Sequence, residues 1–539
     1  MKKGLRLIFS TLLSFLIMTN SYSQNYDNKF FPIGIWSIKG DFRSVDDHLY
    51  DKYKAAKSHR EHFSDLHSRG FNSIYMSLDP IVYTLDTILD IAQEYDMKVI
   101  SNLSNLNYLI SGSNDNDITG DDIRKAILDD SIYLLKRSPA TLGYYIYDEP
   151  LPGWIDFDIL KQAKDSLISL TSGNHPVLSS WNDVRHMDYI DSYLDLDVLM
   201  ADAYPFSDST SEGSLADYMP AYFSNWGDPD DPSTIGPATP GFSEYIEMIR
   251  QQQCNTKNRP LWMIFQSFGD VIEYDPDDSE ASWAFWRQVK PKEIRLQVWI
   301  SVMQGAKGLW YFLYESEYPG LMGMLDLSGQ PTIRLEEATA VNSQINKISD
   351  ILLKLQVIEN ANLSISSGEA RMHLDTSSSS NDNVYMILTN TNYYNQQKIN
   401  ITVDKSEIGY QVNSIRDKVN DIIIPVNDNG NEIKFTVNLD RADGSLYQFS
   451  SEMPDKIEET VSSHSNSIIY PNPAAEMIYF KTGFGITKKV RIFNQYGQKV
   501  FDVNTSANQL DISGLNEGVY NILITINNRL IRERFVVSR

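Results

Sequence analysis

Eight short apolar runs recur between Phe31 and Ser316, and most of the segments between them carry apolar residues at helical spacing. The runs are rich in β-branched and aromatic residues, a pattern typical of strands that are buried on both faces. They are Pro32–Ser37, Phe71–Leu78, Lys98–Leu103, Leu142–Tyr147, Pro176–Trp181, Asp197–Ala203, Pro260–Ser267 and Gly308–Tyr314. Strands that alternate with helices form a parallel sheet, and about eight repeats in roughly 290 residues fit a closed (β/α)8 barrel.

An open, doubly wound sheet is the alternative arrangement for alternating strands and helices. Such a sheet that binds a nucleotide carries a glycine-rich phosphate loop after its first strand. Gly34 and Gly40 are isolated in that part of this chain. The closed barrel is therefore the favoured prediction, and the same observation argues against a nucleotide cofactor.

The pattern changes after Pro331. A helix is predicted over Arg334–Leu355, and short alternating segments follow it, separated by clusters of Asn, Asp, Ser and Gly. This spacing is typical of an antiparallel β-sandwich. The last ~70 residues alternate again and predict a small all-β unit. The predicted organisation is a signal peptide at 1–23, a barrel at 24–350, a β-sandwich at 351–450, a linker at 451–466 and the terminal all-β unit at 467–539.

The first residues have the pattern of an export signal. A positive stretch with Lys2, Lys3 and Arg6 precedes an apolar run, and Ser21–Ser23 provides small residues for cleavage, so the mature chain is predicted to begin at Gln24. The alternative is a retained anchor. The rest of the chain has no run of the ~20 apolar residues that a membrane span needs, and no transmembrane segment is expected after cleavage.

Charge and cysteine content exclude several classes of function. The 539 residues carry a formal net charge of -24, which argues against nucleic acid as a partner because phosphate binding requires an excess of Lys and Arg. Cys254 is the only cysteine. An exported protein with one cysteine forms no intrachain disulfide, and neither a thiol catalyst nor a cysteine-based zinc site is indicated.

The run Leu142–Pro150 contains the strongest candidate site. An apolar, aromatic strand ends abruptly at Asp148 and Glu149, and Pro150 follows. In a parallel barrel the carboxyl ends of the strands carry the catalytic groups. Burial beside tyrosines would raise the pKa of Glu149, as a general acid requires, and Asp148 could tune that acid. The alternative is an ordinary solvated strand end.

A second carboxylate is needed for glycoside hydrolysis, either to attack carbon or to activate water. Asp202 follows the sixth run as Glu149 follows the fourth, and Glu315 follows the eighth. We rank Asp202 above Glu315, although Asp202 could instead bind a substrate hydroxyl or cap a helix. A separation of about 5 Å from Glu149 would indicate retention of configuration, and ~6.5 to 9.5 Å inversion.

Aromatic side chains are the other expected part of a sugar site, because the apolar face of a pyranose stacks on an aromatic ring. Six aromatic residues fall at or near the ends of the predicted strands, and for each of them core packing is the alternative. They are Trp36, Trp154, Trp181, Tyr204, Trp310 and Tyr311. At the end of the seventh run, Gln266 could bind a hydroxyl or orient a water molecule.

No metal or other cofactor is expected. His59 and His62 share a helical face, but a solvated helix explains them better than a metal site does. The acidic segments Asn114–Asp122 and Asp275–Glu280 lack the spacing of a complete calcium loop.

The terminal unit resembles the type A sorting domain of the type IX secretion system of the Bacteroidetes. The matching motifs, in order, are Tyr470-Pro471-Asn472-Pro473, Asn494-Gln495-Tyr496-Gly497, Asp511-Ile512-Ser513-Gly514-Leu515, Gly518-Val519-Tyr520 and Arg534-Phe535-Val536-Val537. The resemblance implies export across both membranes, with this domain read by the type IX translocon and a final location that is secreted or on the cell surface.

The barrel resembles the glycosidase superfamily of (β/α)8 barrels, in particular clan A. That clan ends its fourth strand in Asn-Glu-Pro, with the Glu as general acid/base, and Asp148-Glu149-Pro150 is the corresponding triplet. Asp202-Ala203-Tyr204-Pro205 and Gly308-Leu309-Trp310-Tyr311 are also similar. The chain departs from the clan at the seventh strand, where Phe265-Gln266-Ser267 has no carboxylate for the nucleophile.

Two functions therefore remain open. The first is an exported glycoside hydrolase that acts on a poly- or oligosaccharide through two carboxylates. The second is a secreted or cell-surface glycan-binding protein on a barrel without a nucleophile. The sugar, its linkage and the oligomeric state are not indicated by the sequence.

Overall fold

A computed structural model describes most of the chain in two compact units, one that ends at Glu452 and one that follows it. The residues that it describes are 29–37, 52–77, 85–112, 118–150, 155–181, 193–206, 241–251, 259–270, 286–316, 321–378, 382–452, 469–480, 488–494, 499–526 and 529–539. The predicted signal peptide, most of the predicted linker, Cys254 and Trp154 lie outside these residues. The domain boundaries proposed within the first unit stay predictions.

Eight parallel strands close into a barrel in the first unit, in the order β1 to β8 around the ring. They are β1 Ile33–Ser37, β2 Ser73–Ser77, β3 Lys98–Asn102, β4 Thr141–Tyr147, β5 Val177–Trp181, β6 Leu199–Ala203, β7 Leu261–Gln266 and β8 Gly308–Phe312. Each strand begins and ends within two residues of the predicted run. The predicted closed barrel is confirmed, because β8 pairs with β1.

Helices connect these strands and cover the barrel. They are α1 Lys52–Ser68, α2 Leu85–Glu94, α3 Ser104–Gly112, α4 Gly120–Asp129, α5 Ile132–Leu135, α6 Phe157–Thr171, α7 Phe242–Ile249, α8 Pro291–Met303, α9 Ile333–Ile345 and α10 Ser349–Leu352. Local sequence explains where several of them begin. At the start of α6, the Asp156 side chain accepts a hydrogen bond from the Asp158 amide at 2.8 Å, which satisfies one of the free amides of the first turn.

The two faces of the barrel strands bury different sets of side chains. The outward row packs against the helices in the main core. The inward row fills the barrel with large side chains: Trp36, Tyr75, Ile100, Leu142, Tyr145, Leu178, Met200, Trp262, Ile264 and Trp310. Because both faces are apolar, the strands read as continuous apolar runs rather than as alternating ones.

Two antiparallel sheets follow the barrel within the first unit, and the predicted β-sandwich is confirmed. The six-stranded sheet contains, in spatial order, Leu355–Val357, Glu369–Asp375, Val384–Thr389, Gly444–Ser450, Ser414–Asp417 and Ile422–Ile424. The four-stranded sheet contains Leu363–Ile365, Gln397–Asp404, Glu432–Leu439 and Asn427–Asp428. Apolar residues from both sheets form a separate core between them.

Helix α8 joins the barrel to this sandwich. Its residues from Glu293 to Met303 are all buried, because one side contacts β7 and the other contacts the six-stranded sheet. Trp299 lies directly against Gly444 of that sheet, where a Cβ atom would be 2.5 Å from the indole. Arg295 adds an ion pair to Asp443 at 3.0 Å. The helix is therefore a shared core element, which explains why barrel and sandwich form one unit.

The structure has two helices where the sequence pattern predicts one. A single helix was predicted over Arg334–Leu355, whereas α9 ends at Ile345 and the separate α10 covers Ser349–Leu352. Leu355 already begins the first strand of the six-stranded sheet.

The second unit is all-β, as predicted. A three-stranded sheet contains Ile469–Tyr470, Met477–Phe480 and Gln509–Asp511, and a four-stranded sheet contains Lys499–Thr505, Lys488–Asn494, Gly518–Ile526 and Arg529–Val537. Its own core includes Ile478, Ile492 and Phe535. Across the parts of the chain that are described, no helix is both long and apolar enough to cross a membrane.

Gly34 of β1 offers a test of how tightly the barrel is filled. A Cβ atom at this position would lie 2.3 Å from the ring of Trp310, so Gly34→Ala forces the indole or the strand to move. We expect a loss of about 1–3 kcal/mol in the free energy of unfolding, measured by chemical denaturation. Gly120→Ala is the matched control, since its nearest neighbour would be 3.8 Å away. Equal stability of the two variants would contradict the described packing.

Candidate functional site

The end of β4 turns two consecutive acidic side chains towards the barrel mouth. In a regular strand neighbouring side chains point to opposite faces. Glu149 instead has a left-handed backbone with φ of 42°, and the pairing of β4 with β5 is irregular between Tyr145 and Tyr147. A positive φ is uncommon for a residue with a Cβ atom and is often found at functional sites. The alternation is broken, so Asp148 and Glu149 both reach groups of the inward row.

Asp148 is held by two hydroxyl groups of that row. Its Oδ1 accepts a hydrogen bond from the Tyr145 hydroxyl at 2.5 Å and another from Ser180 Oγ at 2.8 Å. Tyr145 itself is buried, and burial raises the pKa of its hydroxyl, so it remains a neutral donor. Asp148 is nevertheless exposed to solvent. It is a carboxylate with a fixed orientation that a ligand in the mouth can reach.

Glu149 and Asp202 form an interacting pair of carboxyl groups. Glu149 is half-buried, and this partial burial raises its pKa far above the usual range. The charge of Asp202, together with a hydrogen bond to it, raises the pKa further. Burial also raises the pKa of Asp202, but the hydrogen bond from Glu149 opposes that effect. The proton therefore resides on Glu149 at neutral pH, and Asp202 accepts the hydrogen bond from it.

Asp202 reaches this pair because of its place in β6. It continues the inward row of Met200, which lies in the barrel interior, and it is only 2% exposed. Its backbone pairs with Ile264 of β7. The two strands β4 and β6 are separated only by β5. The parallel register thus brings together two of the three carboxylates that the sequence suggested.

Glu315 is placed elsewhere. Its Oε1 accepts a hydrogen bond from Ser37 Oγ at 2.5 Å. Ser37 alternates with Trp36 of the inward row and therefore lies on the outward face of β1, as Ile35 does. The charges that act on Glu149 are those of Asp202 and Asp148. The structure does not bring Glu315 together with the acidic pair.

Gln266 ends β7 at the position where the resemblance would place a nucleophile. It is completely buried, and its amide binds the main chain. Its Oε1 accepts from the Phe206 amide at 2.8 Å, and its Nε2 donates to the carbonyls of Phe206 and Phe268 at 3.1 and 3.3 Å. A longer bond of 3.4 Å reaches the Arg287 carbonyl. The side chain thus ties three segments of the rim together rather than facing a ligand.

Trp36 and Tyr204 are at the barrel mouth, as expected, and each belongs to an aromatic group. Trp36 stacks on Tyr75 with a centroid distance of 3.6 Å and contacts Tyr145 at 5.3 Å. Tyr204 contacts Phe268, Trp286 and Phe312 at 5.1, 5.7 and 5.6 Å. The strand-end pattern did not select Tyr75, Phe312 and Phe268 as mouth residues. For Tyr75 and Phe312 a signal existed, because they share the inward row with Trp36 and Trp310.

Three other aromatic candidates lie away from the mouth. Trp310 is fully buried inside the barrel against Trp262, at a centroid distance of 6.0 Å. Trp181 and Tyr311 belong to the outward row between strands and helices. The Tyr311 hydroxyl donates to Asn342 Oδ1 at 2.6 Å in that layer. We therefore do not retain these three residues as substrate contacts.

The described residues contain no group of three or more His, Cys, Asp or Glu side chains arranged to hold a metal ion. His62, which the sequence placed on a helical face with His59, packs its ring edge-on against Tyr314. Its Nδ1 lies 2.9 Å from the Tyr314 hydroxyl. This histidine therefore packs between α1 and the segment after β8.

Comparison with known proteins identifies the terminal unit most directly. Residues 468–538 match the family model of the secretion system C-terminal sorting domain. A search of curated proteins finds no match to the sequence. The chain thus carries a sorting domain after an eight-stranded parallel barrel and a β-sandwich.

The solved structures similar to the chain include several glycosidases. A beta-galactosidase from the psychrophilic Marinomonas ef1 has a TM-score of 0.42 at 12% identity, over 62% of each chain. A beta-glucuronidase from an uncultured Clostridium sp. has a TM-score of 0.38 at 13% identity, over 59% of this chain and 50% of that one. The beta-D-glucuronidase of Dictyoglomus thermophilum gives 0.37 at 15% identity, over 58% and 50%. The chain therefore spans less than two thirds of each of these proteins.

The raised pKa of Glu149 predicts a pH-dependent stability. The folded protein holds this proton more tightly than the unfolded chain, so the stabilisation is complete below the unfolded pKa of about 4 and is lost as the pH rises towards the folded pKa. Glu149→Gln does not titrate and keeps an amide donor for Asp202. We expect its Tm, relative to the unsubstituted protein, to increase between pH 4 and pH 8 in scanning calorimetry.

The exposed Asp165 on α6 provides the control, because Asp165→Asn also replaces an acidic side chain by an amide but lies on the helix surface. A Glu149→Gln difference that stays flat or decreases over the same range would contradict the described interaction of Glu149 with Asp202.

Proposed function

We propose that the protein is an exported glycoside hydrolase in which Glu149 is the general acid. The observation that carries this proposal is the state of Glu149: a carboxyl group that is protonated at neutral pH and lies at the carboxyl end of a barrel strand. A general acid must hold its proton at the working pH and release it to the leaving oxygen in the transition state. Buried carboxyl groups with raised pKa values are characteristic of such sites.

The surroundings of Glu149 support a sugar as the ligand. The half-buried rings of Tyr204 and Phe312 lie at the carboxyl ends of β6 and β8, where the apolar face of a pyranose can stack. Asp148 beside the acid can accept hydrogen bonds from the donor groups of such a ligand. The formal net charge of -24 disfavours a phosphorylated ligand or nucleic acid, because phosphate binding requires an excess of Lys and Arg.

In this mechanism Asp202 acts through Glu149. Two carboxylates that attack from opposite faces of a sugar are at least about 5 Å apart, whereas a hydrogen bond joins Glu149 to Asp202. We therefore assign Asp202 as a positioning residue, which orients the acid and keeps it protonated. It is less suited to the role of nucleophile that the strand-end pattern suggested.

A non-catalytic glycan-binding protein is the second candidate function. Gln266 favours it, because the end of β7 carries a buried amide where a nucleophilic carboxylate would be expected. The two functions share the aromatic mouth and differ in whether a glycosidic bond is broken.

Glu149→Gln separates these two functions. In a screen of neutral poly- and oligosaccharides, we expect the unsubstituted protein to release new reducing ends. We expect the variant to be slower by at least ~100-fold, the usual scale for a lost general acid. Binding of the same glycan, measured by calorimetry, should persist in the variant because the amide retains the shape of the protonated carboxyl.

Asp165→Asn is again the matched control and should retain full turnover. Turnover by Glu149→Gln at the unsubstituted rate would remove Glu149 from the mechanism. Binding of a glycan without release of any reducing ends would establish the second candidate instead.

Export completes the proposed function. The signal peptide at 1–23 would carry the chain across the inner membrane, and the sorting domain would direct it through the type IX translocon to the cell surface or the medium. The match of residues 468–538 to the sorting-domain family supports this route.

A chain that ends at Glu452 tests the proposed route, because the first compact unit ends there. In a host with a working type IX system, we expect the truncated protein to remain within the cells and the full-length protein to reach the surface or the medium. Cell fractionation with immunoblotting measures the difference, and a host that lacks the translocon provides the control. Equal export of both chains would refute the role of the sorting domain.

A further inference from the structure

Glycoside hydrolysis with Glu149 as the acid still requires a nucleophile on the opposite face of the sugar. In the usual two-carboxylate arrangements this group is an enzyme carboxylate or a water molecule that a carboxylate activates. Among the described residues of the barrel mouth, no carboxylate is recognisable as the nucleophile or as the group that activates a water molecule. Each candidate that the strand ends offer is engaged in another contact.

Three strand-end candidates can be compared directly. Gln266 is an amide that binds the main chain of the rim. Glu315 is held by Ser37 on the outward face of β1. Asp202 is hydrogen-bonded to the acid itself and so approaches from the same side as Glu149. Each of the three is therefore already engaged in a described contact with the protein.

Asp148 is the one carboxylate of the described mouth that is both exposed and rigidly held. Both of its described hydrogen bonds go to Oδ1, from Tyr145 and Ser180. Its Oδ2 is therefore available to a donor on a ligand. The left-handed backbone at Glu149 sets this carboxylate directly beside the acid. Such a group is suited to orient an N–H group close to the bond that Glu149 cleaves.

We propose that the substrate is a glycan with a 2-acetamido sugar and that the acetamido oxygen of the substrate is the nucleophile, with Asp148 bound to the acetamido N–H. This inference rests on the proposed function. It supplies the missing group from the ligand, as some glycoside hydrolases do. An intramolecular nucleophile also has a large effective concentration, which reduces the need for a preformed carboxylate on the protein.

The steps balance without a co-reactant. Glu149 gives its proton to the leaving oxygen as the bond from that oxygen to the anomeric carbon breaks, and the acetamido oxygen forms a bond to the same carbon. Asp148 stabilises the positive charge that develops on the amide nitrogen. Water then attacks the anomeric carbon and gives a proton to the Glu149 carboxylate, and the bond to the acetamido oxygen breaks. The sugar is released with its original configuration.

Matched substrates test the proposal, because only sugars with the acetamido group trans to the leaving group can react in this way. The pairs are chitotetraose with cellotetraose, and the 4-nitrophenyl β-N-acetylglucosaminide and β-N-acetylgalactosaminide with the corresponding glucoside and galactoside. Within at least one pair we expect kcat/KM to favour the acetamido member by about 100-fold or more. Stepwise fluorination of its acetyl group should lower kcat, because it weakens the attacking oxygen.

Asp148→Asn tests the assigned residue. We expect its kcat on the acetamido substrate to fall by about 100-fold. We also expect kcat to decrease more steeply with each fluorine atom on the acetyl group. Asp165→Asn should leave kcat and its dependence on fluorination unchanged. A variant that only misfolds would lose the thermal transition that the control keeps. A fluorination dependence identical to that of the unsubstituted protein would remove Asp148 from this role.

The possible outcomes separate this inference from the proposed function. Equal turnover of the acetamido and hydroxyl members of a pair would overturn the inference and leave hydrolysis by Glu149 intact. Turnover of other glycans in the broader screen, without turnover of any member of these pairs, would likewise overturn the inference and leave the proposed function intact. An absence of turnover in both would overturn the proposed function and the inference together.

Discussion

A single left-handed residue sets the directions of the acidic side chains at the barrel mouth. With φ of 42° at Glu149, two consecutive carboxyl groups leave the strand on the same side, whereas a regular strand would send one of them into the outer layer. Such a conformation costs free energy for a residue with a Cβ atom, of the order of 1 kcal/mol or more. The surrounding contacts, from Tyr145 and Ser180 to Asp148 and from Glu149 to Asp202, hold it in place. The geometry of the site is thus a property of the chain at one position, supported by β4, β5 and β6.

The roles of the neighbouring carboxyl groups follow from their burial. Asp202 is almost fully buried and raises the pKa of Glu149, whereas Asp148 is exposed and receives two neutral donors. The same functional group is therefore a buried acceptor of a hydrogen bond from Glu149 in one place and an exposed acceptor in the other. This division resembles the general principle that environment, rather than residue type, assigns acid and base roles.

Much of the fold could be predicted from the sequence because the signals are local. Every barrel strand was found from its apolar run, and Asp148, Glu149 and Asp202 were found from their places at strand ends. The direction of individual side chains could not be found in the same way. Where both faces of a strand are apolar, the pattern does not distinguish Trp36, at the mouth, from Trp181 and Tyr311, in the outer layer. Glu315 is hydrogen-bonded to Ser37, and Gln266 is hydrogen-bonded to the main chain of the rim. These contacts join residues far apart in the sequence, so local patterns do not predict them.

The contacts of Gln266 limit how this barrel can change over evolutionary time. Its Nε2 donates to the carbonyls of Phe206 and Phe268. A codon change to Glu would replace that donor by an oxygen and set a buried negative charge against those carbonyls, at a cost of several kcal/mol. A carboxylate can therefore replace the amide at this position only if the rim segments that carry these carbonyls change with it.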